Sequence, residues 1–174
     1  MKLTWFGDTT FRIHAGGQIV VVKGEVTPAG SEASEIASGA DYVVALGDKL
    51  PPTDLRNWKP RPPMRVLDSG DATRPVEVHR GEGHSLVIDA DDDLPVLILP
   101  GTLPEVGRWI EKAVVVLVGP DLLKRALGLL EQKVPRLIVL ASVEAELDAA
   151  FAQLPERLDG AGLIALQPGL AVEV

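Results

Sequence analysis

The chain has 174 residues, enough to bury a substantial core in one domain spanning residues 1–174. It is 46% hydrophobic and 24% charged, a globular balance that excludes a disordered chain. It has no cysteine, which excludes disulfides, thiolate metal sites and cysteine nucleophiles, and its net charge of −8 opposes binding to nucleic acid or an anionic membrane.

Met1-Lys2 runs directly into a strand-like pattern without the apolar core of a signal peptide. With the absent cysteines, this points to a reducing, cytoplasmic setting. Leu3–Phe6 and Phe11–His14 are short strands around a turn at Gly7, and Gly16-Gly17 is a hairpin signal before the strand Gln18–Lys23. A short helix is expected at Ser31–Ser38, then a strand at Asp41–Leu46 and a helix from Thr53 to Trp58. The basic stretch Arg56–Arg65, with three prolines, reads as a solvated, proline-stiffened loop.

Strands follow at Met64–Asp68, Pro75–His79, Ser85–Ala90 and Pro95–Leu99, and the last two are joined by a charged turn at Asp91-Asp92-Asp93. That turn lacks the Gly and distal Glu of a calcium loop. The last third alternates: a helix at Pro104–Lys112, strand Ala113–Val118, helix Asp121–Gln132, strand Leu137–Ala141, helix Val143–Leu154, and strands Leu163–Leu166 and Leu170–Val174. In Asp121–Gln132, residues Leu122, Leu123, Ala126, Leu129 and Leu130 form one apolar face. Hairpins in front and strand–helix units behind suit an α/β or α+β layered domain.

No Gly-x-Ser-x-Gly elbow, Walker loop or Gly-x-Gly-x-x-Gly occurs, so serine hydrolase and nucleotide chemistry lack a local signature. Histidine is limited to His14, His79 and His84. His84 follows the loop Arg80-Gly81-Glu82-Gly83 and is the strongest candidate of the three for a functional role; the other two read as surface or hydrogen-bonded residues.

The opening Trp5-Phe6-Gly7, followed by Thr9-Thr10-Phe11-Arg12-Ile13, the Gly16-Gly17 hairpin and the apolar strand after it, resembles the start of a family of metallo-β-lactamase-fold, metal-dependent hydrolases. The resemblance continues through Ala40-Asp41-Tyr42-Val43-Val44, through Val96–Leu99 with Gly101-Thr102, through Leu137–Ser142, and into the Pro168-Gly169 ending. It implies a shortened metallo-β-lactamase-like αββα four-layer sandwich. It also implies hydrolysis by one or two divalent ions that lower the pKa of a bound water.

At the positions of the family's His-x-His-x-Asp-His signature this chain has Gly47, Lys49, Pro51 and Pro52. Glycine and proline offer no donor side chain, and a protonated lysine repels a cation. The family's early histidine falls at Asp8, its Asp-Pro aspartate at Lys23, and its late histidine near Ala141 or Ser142. Its Gly-Asp-Thr ligand is reduced to Gly101-Thr102. The resemblance thus implies a relic cavity lined by Asp8, Lys23, Asp48, Lys49, His84, Thr102 and Ser142, with no catalytic residue and no cofactor. Lysine–aspartate pairs are expected to fill it, so that Lys49→Ala destabilises more than an ordinary surface change.

Three readings stay open. One is a non-catalytic binding or pseudo-hydrolase domain for an unknown protein or small ligand. The second is a hydrolase with a single zinc or other divalent metal held by Asp8, Asp48 or Asp54, and His84. The third is a structural subunit of a complex. Trimmed loops would leave apolar edges, so a homodimer is one arrangement to look for.

Overall fold

The computed structural model describes residues 1–24, 33–62, 74–91 and 93–174. In chain order the elements are β1 (Lys2–Gly7), β2 (Thr10–Ala15), β3 (Gln18–Lys23), α1 (Ala33–Ile36), β4 (Tyr42–Ala45), β5 (Glu77–Arg80), β6 (Leu86–Asp89) and β7 (Val96–Leu99). They continue with β8 (Val114–Val118), α2 (Leu122–Gln132), β9 (Leu137–Ala141), α3 (Glu144–Phe151), β10 (Gly162–Ala165) and β11 (Ala171–Glu173). The expected strand Met64–Asp68 lies outside the described residues.

Two sheets form, with strand orders β11-β1-β2-β3-β4 in front and β10-β9-β8-β7-β6-β5 behind. The front sheet begins as two antiparallel hairpins. Gly16 and Gly17, at φ +56° and +73°, supply the positive φ values that a two-residue hairpin loop between Ala15 and Gln18 requires. A Cβ at Gly16 would sit 2.9 Å from the Asp91 carbonyl oxygen, so space as well as φ selects glycine there. In the back sheet β5, β6 and β7 are antiparallel, whereas β7, β8, β9 and β10 are parallel and joined by crossovers.

Alternation decides which side chains face which layer. Leu3, Trp5, Phe11, Ile13, Val20 and Val22 of the front sheet pack on Ile88, Ile98, Val114, Val116 and Val139 of the back sheet. The opposite face of the back sheet, with Leu97, Leu99, Val115, Leu117, Ile138 and Leu140, packs under Leu122, Ala126 and Leu129 of α2 and Ala150 of α3. Because β8 is covered on both faces, its Val-Val-Val-Leu-Val run is buried throughout. Among the described residues, α1 is the one helix on the outer face of the front sheet. Arg12 from β2 holds it by donating to the carbonyls of Ile36 (2.7 Å) and Ser38 (2.8 Å).

Two expected helices take other forms. Thr53–Trp58 folds as a turn: the Asp54 carboxylate accepts from the Arg56 N–H (2.9 Å) and from Asn57 Nδ2 (2.6 Å), and local side-chain bonding replaces the helical ladder. In Pro104–Lys112 only a 3₁₀ turn, Arg108–Lys112, forms. The chain before it crosses the 50s segment at Gly107, where a Cβ would lie 2.1 Å from the Arg56 carbonyl oxygen.

The basic, proline-rich stretch is a loop over its described part, with Arg56, Asn57, Lys59 and Pro62 exposed as expected, but it is anchored at both ends of that part. Leu55 is buried among the residues beneath the helices, and its carbonyl accepts from Trp109 Nε1 (2.6 Å) and from the Gly107 N–H (2.9 Å). Arg61 then latches the segment to β6. Its backbone N–H and Nε donate to Asp89 Oδ2, at 2.9 and 3.3 Å, and Nη2 donates to the Asp89 carbonyl at 2.7 Å. His79, expected as a surface or hydrogen-bonded residue, pairs through Nε2 with Glu77 Oε2 at 3.3 Å and is half-buried beside Trp58, with ring centroids 6.5 Å apart.

Candidate functional site

Strand direction brings the candidate residues to one end of the sandwich. Lys23, the last residue of β3, is in register with Ala45, the last residue of β4. Phe11 pairs with Val22, which places the β1–β2 turn and Asp8 beside them. In the back sheet Leu99, Leu117 and Leu140 are in register, so Thr102 and Ser142 follow strands that end at the same level. The chain between the sheets closes this rim: the Arg80 N–H donates to the Pro51 carbonyl (2.9 Å), and the Thr53 N–H to the Arg80 carbonyl (2.8 Å).

Within the rim the groups form two clusters. One surrounds Gly24, where a Cβ would lie 2.5 Å from Asp8 Oδ2, 2.8 Å from Thr9 Oγ1 and 3.0 Å from Thr10 Oγ1. Asp8 is held at φ 46°, its carbonyl accepts from Trp5 Nε1 (2.8 Å), and its carboxylate accepts from the Thr9 hydroxyl (3.3 Å). The other joins the His84 loop to the end of β7, since a Cβ on Gly83 would lie 3.3 Å from Thr102 Oγ1. His84, at φ 62°, closes a 3₁₀ turn and is exposed. The turn is fixed from beneath by buried Ser85, whose hydroxyl donates to the Glu82 carbonyl (2.7 Å).

Asp48 and Lys49 follow β4 in an exposed turn. The Asp48 carboxylate accepts from the Ala45 N–H at 2.7 Å. Lys23 is exposed too, and among the described residues neither lysine lies within ion-pair distance of a carboxylate. The expected lysine–aspartate pairing is therefore replaced by local turn bonds. A carboxylate at a turn finds a backbone N–H three residues away at less entropic cost than a long, exposed lysine.

Divalent-ion chemistry needs three or more His or carboxylate donors within a few ångströms. Among the described residues no group of three His, Asp or Glu side chains is placed to hold a metal ion. Asp54 is committed to its own turn: the Asn57 amide first, then the Arg56 N–H, hold its carboxyl below the usual carboxylate range. The described residues of the rim thus do not supply the donor set of the metal centre that the resemblance implies.

Two solved structures share this architecture. One is an isothiocyanate hydrolase from Delia radicum gut bacteria, with a TM-score of 0.54 and 14% identity over 99% of both chains. The other, from Thermotoga maritima, is assigned to the Zn-dependent hydrolases of the metallo-β-lactamase superfamily. It has a TM-score of 0.53 and 13% identity over 95% of this chain and 98% of that one. The chain adopts the metallo-β-lactamase fold. No family model and no curated protein matches the sequence. Within this metallo-β-lactamase fold, no helix of the described residues is long and apolar enough to cross a membrane.

One residue with site-like properties escaped the sequence reading. Arg125 of α2 is buried beneath the loops that follow β7 and β8. Nη1 donates to the carbonyls of Val118 (2.7 Å) and Pro120 (3.3 Å), Nη2 donates to the Leu99 carbonyl, and Nε has no partner among the described residues. Burial pulls its pKa below the ordinary arginine value, and the Asp121 carboxylate counters that pull. A signal was present, because Arg125 stands three residues after Leu122 and four before Leu129, on the face that otherwise carries the apolar stripe.

Proposed function

We propose that this chain is a single-domain, cytoplasmic binding protein built on a hydrolase scaffold that no longer carries the scaffold's metal chemistry. Its ligand would be a partner protein or a small molecule taken up at the rim. One observation carries the reading. The tip after β4, where the fold's hydrolases present their histidine cluster, here carries Gly47, Asp48, Lys49, Pro51 and Pro52, with the one carboxylate among them bonded to its own turn. A lysine cation and two prolines cannot take over the role of imidazole ligands.

Other features agree with it. The rim charges are exposed and free of long-range partners among the described residues, as suits a surface that meets another molecule. The net charge of −8 argues against nucleic acid as that molecule. A fold shared with hydrolases does not transfer their activity.

The test is metal content. The protein is purified without chelator or affinity tag, incubated with zinc, iron or manganese, dialysed, and assayed for metal per chain. Substoichiometric metal throughout is expected. One tightly held ion per chain would overturn the reading and return the chain to the hydrolases.

A further inference from the structure

The cavity beside Arg125 lies on the helix side of the back sheet. It has a volume of about 460 Å³ and is walled by Pro100, Gly101, Thr102 and Leu103 after β7, by Pro120 and Asp121 after β8, and by Lys124, Arg125 and Gly128 of α2. Three properties of its wall bear on what it can hold. Its lining includes Pro100, Leu103, Pro120 and the bare backbone of Gly101 and Gly128, an apolar surface for the body of a ligand.

Its ionised groups leave an excess of positive charge. Arg125 is buried and, among the described residues, has no carboxylate within ion-pair distance; carbonyl oxygens alone take its hydrogen bonds. Lys124 is exposed at the mouth and likewise has no ion-pair partner among them. Asp121 is the single acidic residue of the wall, so two cations face one anion. A buried cation without a counter-ion is costly, and a monoanion seated beside it relieves that cost.

The start of α2 narrows the choice of anion. The Leu122 N–H already donates to Glu146 Oε2 of α3 (3.1 Å), and Asp121 stands at the helix start. The Leu122 N–H that a helix start would offer a phosphate is thus already taken, and Asp121 disfavours a dianion beside it.

We propose that this cavity binds a small monocarboxylate with an apolar body. Lys124 meets the carboxylate as a mobile point charge, and the Thr102 hydroxyl is the neutral donor closest in type. Arg125 acts through its field, since its terminal nitrogens are already committed to carbonyls. Leu103 and Gly128 bound the apolar end, and the room there depends on glycine: a Cβ at Gly128 would lie 3.2 Å from Leu103 Cδ2. This inference goes beyond the proposed function, because it stands whether or not the rim retains metal chemistry.

The test uses the full chain and two probes of similar shape, benzoate and benzyl alcohol, followed by amide chemical shifts. Saturable benzoate shifts confined to Gly101, Thr102, Lys124 and Gly128 are expected, with benzyl alcohol at least about tenfold weaker, as one lost charge contact implies. Lys124→Glu should weaken benzoate about tenfold or more without altering benzyl alcohol binding, and Gly128→Leu should abolish both. Arg125 is left intact, because removing it would strand the carbonyls of Leu99 and Val118. Shifts scattered over the surface, equal affinity for the two probes, or benzoate binding unchanged in both variants would each overturn the proposal. Because metal content is measured separately, failure here leaves the binding-domain reading untouched.

Discussion

The two ends of the sandwich treat their charges differently. At the hairpin end, charged groups reach across the chain. Arg61 pairs with Asp89, Arg74 with Asp91 (3.4 Å), and the N-terminal ammonium with Asp93 (3.5 Å), which also accepts from the Gly16 N–H at 2.7 Å. At the rim, the carboxylates of Asp8 and Asp48 are bonded to groups no more than three residues away, and Lys23 and Lys49 are exposed without carboxylate partners among the described residues. Charges that lock distant segments together maintain the fold, whereas charges held only by their own turns are free to meet another molecule. Stability should therefore reside at the first end and recognition at the second.

Substitutions can break that contrast, and the largest effect is expected at Asp89. Its side chain is 5% exposed and answers both the Arg61 guanidinium and the Arg61 N–H. Asp89→Ala leaves the Arg61 N–H and Nε without their acceptor, while the terminal nitrogens keep the Asp89 and Pro75 carbonyls and Glu77. The loss should be about 3–5 kcal/mol in urea unfolding. A loss near zero would show that the latch does not hold the proline-rich segment. Next is Asp93→Ala, which removes the acceptor of the Gly16 N–H and the partner of the N-terminus. A loss of about 1.5–3 kcal/mol is expected by the same measurement.

At the other end the expected effect is small. Lys49→Ala should change stability by no more than about 0.5 kcal/mol, the range of an ordinary surface substitution. This reverses what the sequence suggested, because the pairing that would have made Lys49 costly to remove does not form. A loss above about 2 kcal/mol would restore the buried-pair picture.

The smallest effect sharpens the contrast through pH. His14 sits at the hairpin end, where partial burial first, then the charges of Arg12 and Lys2, lower its pKa from 6.5. Arg12 Nε donates to His14 Nε2 at 3.3 Å, which requires the neutral ring. The folded state then binds fewer protons than the unfolded chain between the lowered value and 6.5. Stability accordingly rises with pH through that window and falls as pH drops below 6.5. His14→Gln should flatten this slope, with unfolding midpoints compared across the window; an unchanged slope would assign it to other groups.

The fold was legible where periodicity and burial agree. The doubly covered strand β8 reads as an unbroken apolar run, and β2 alternates from Phe11 to Ala15 because one face meets the core. Gly16-Gly17 marked its hairpin because few other residues tolerate the required φ. The anchor of the proline-rich loop was not legible because it is tertiary: Arg61 finds Asp89 28 residues later, and no local pattern records that. The two missed helices failed for related reasons, one through Asp54 bonding to its own turn and one through the crossing at Gly107.

Strand direction places all seven candidate residues at one end of the sandwich, and that shared position could be read from the sequence. Their interactions were not legible, because exposed side chains follow turn geometry and not composition. Arg125 shows the converse, a cation on an apolar helix face that is visible in the sequence once burial is treated as the exception to explain.

If the rim holds no divalent ion, as we propose, the unfolding free energy is the same in excess zinc and in chelator. A native-state site with free zinc at a hundred times its dissociation constant would add about 2.7 kcal/mol. Equal stability in the two buffers, within about 0.5 kcal/mol, is the predicted result. A zinc-dependent rise that disappears when His84 is replaced by alanine would contradict it.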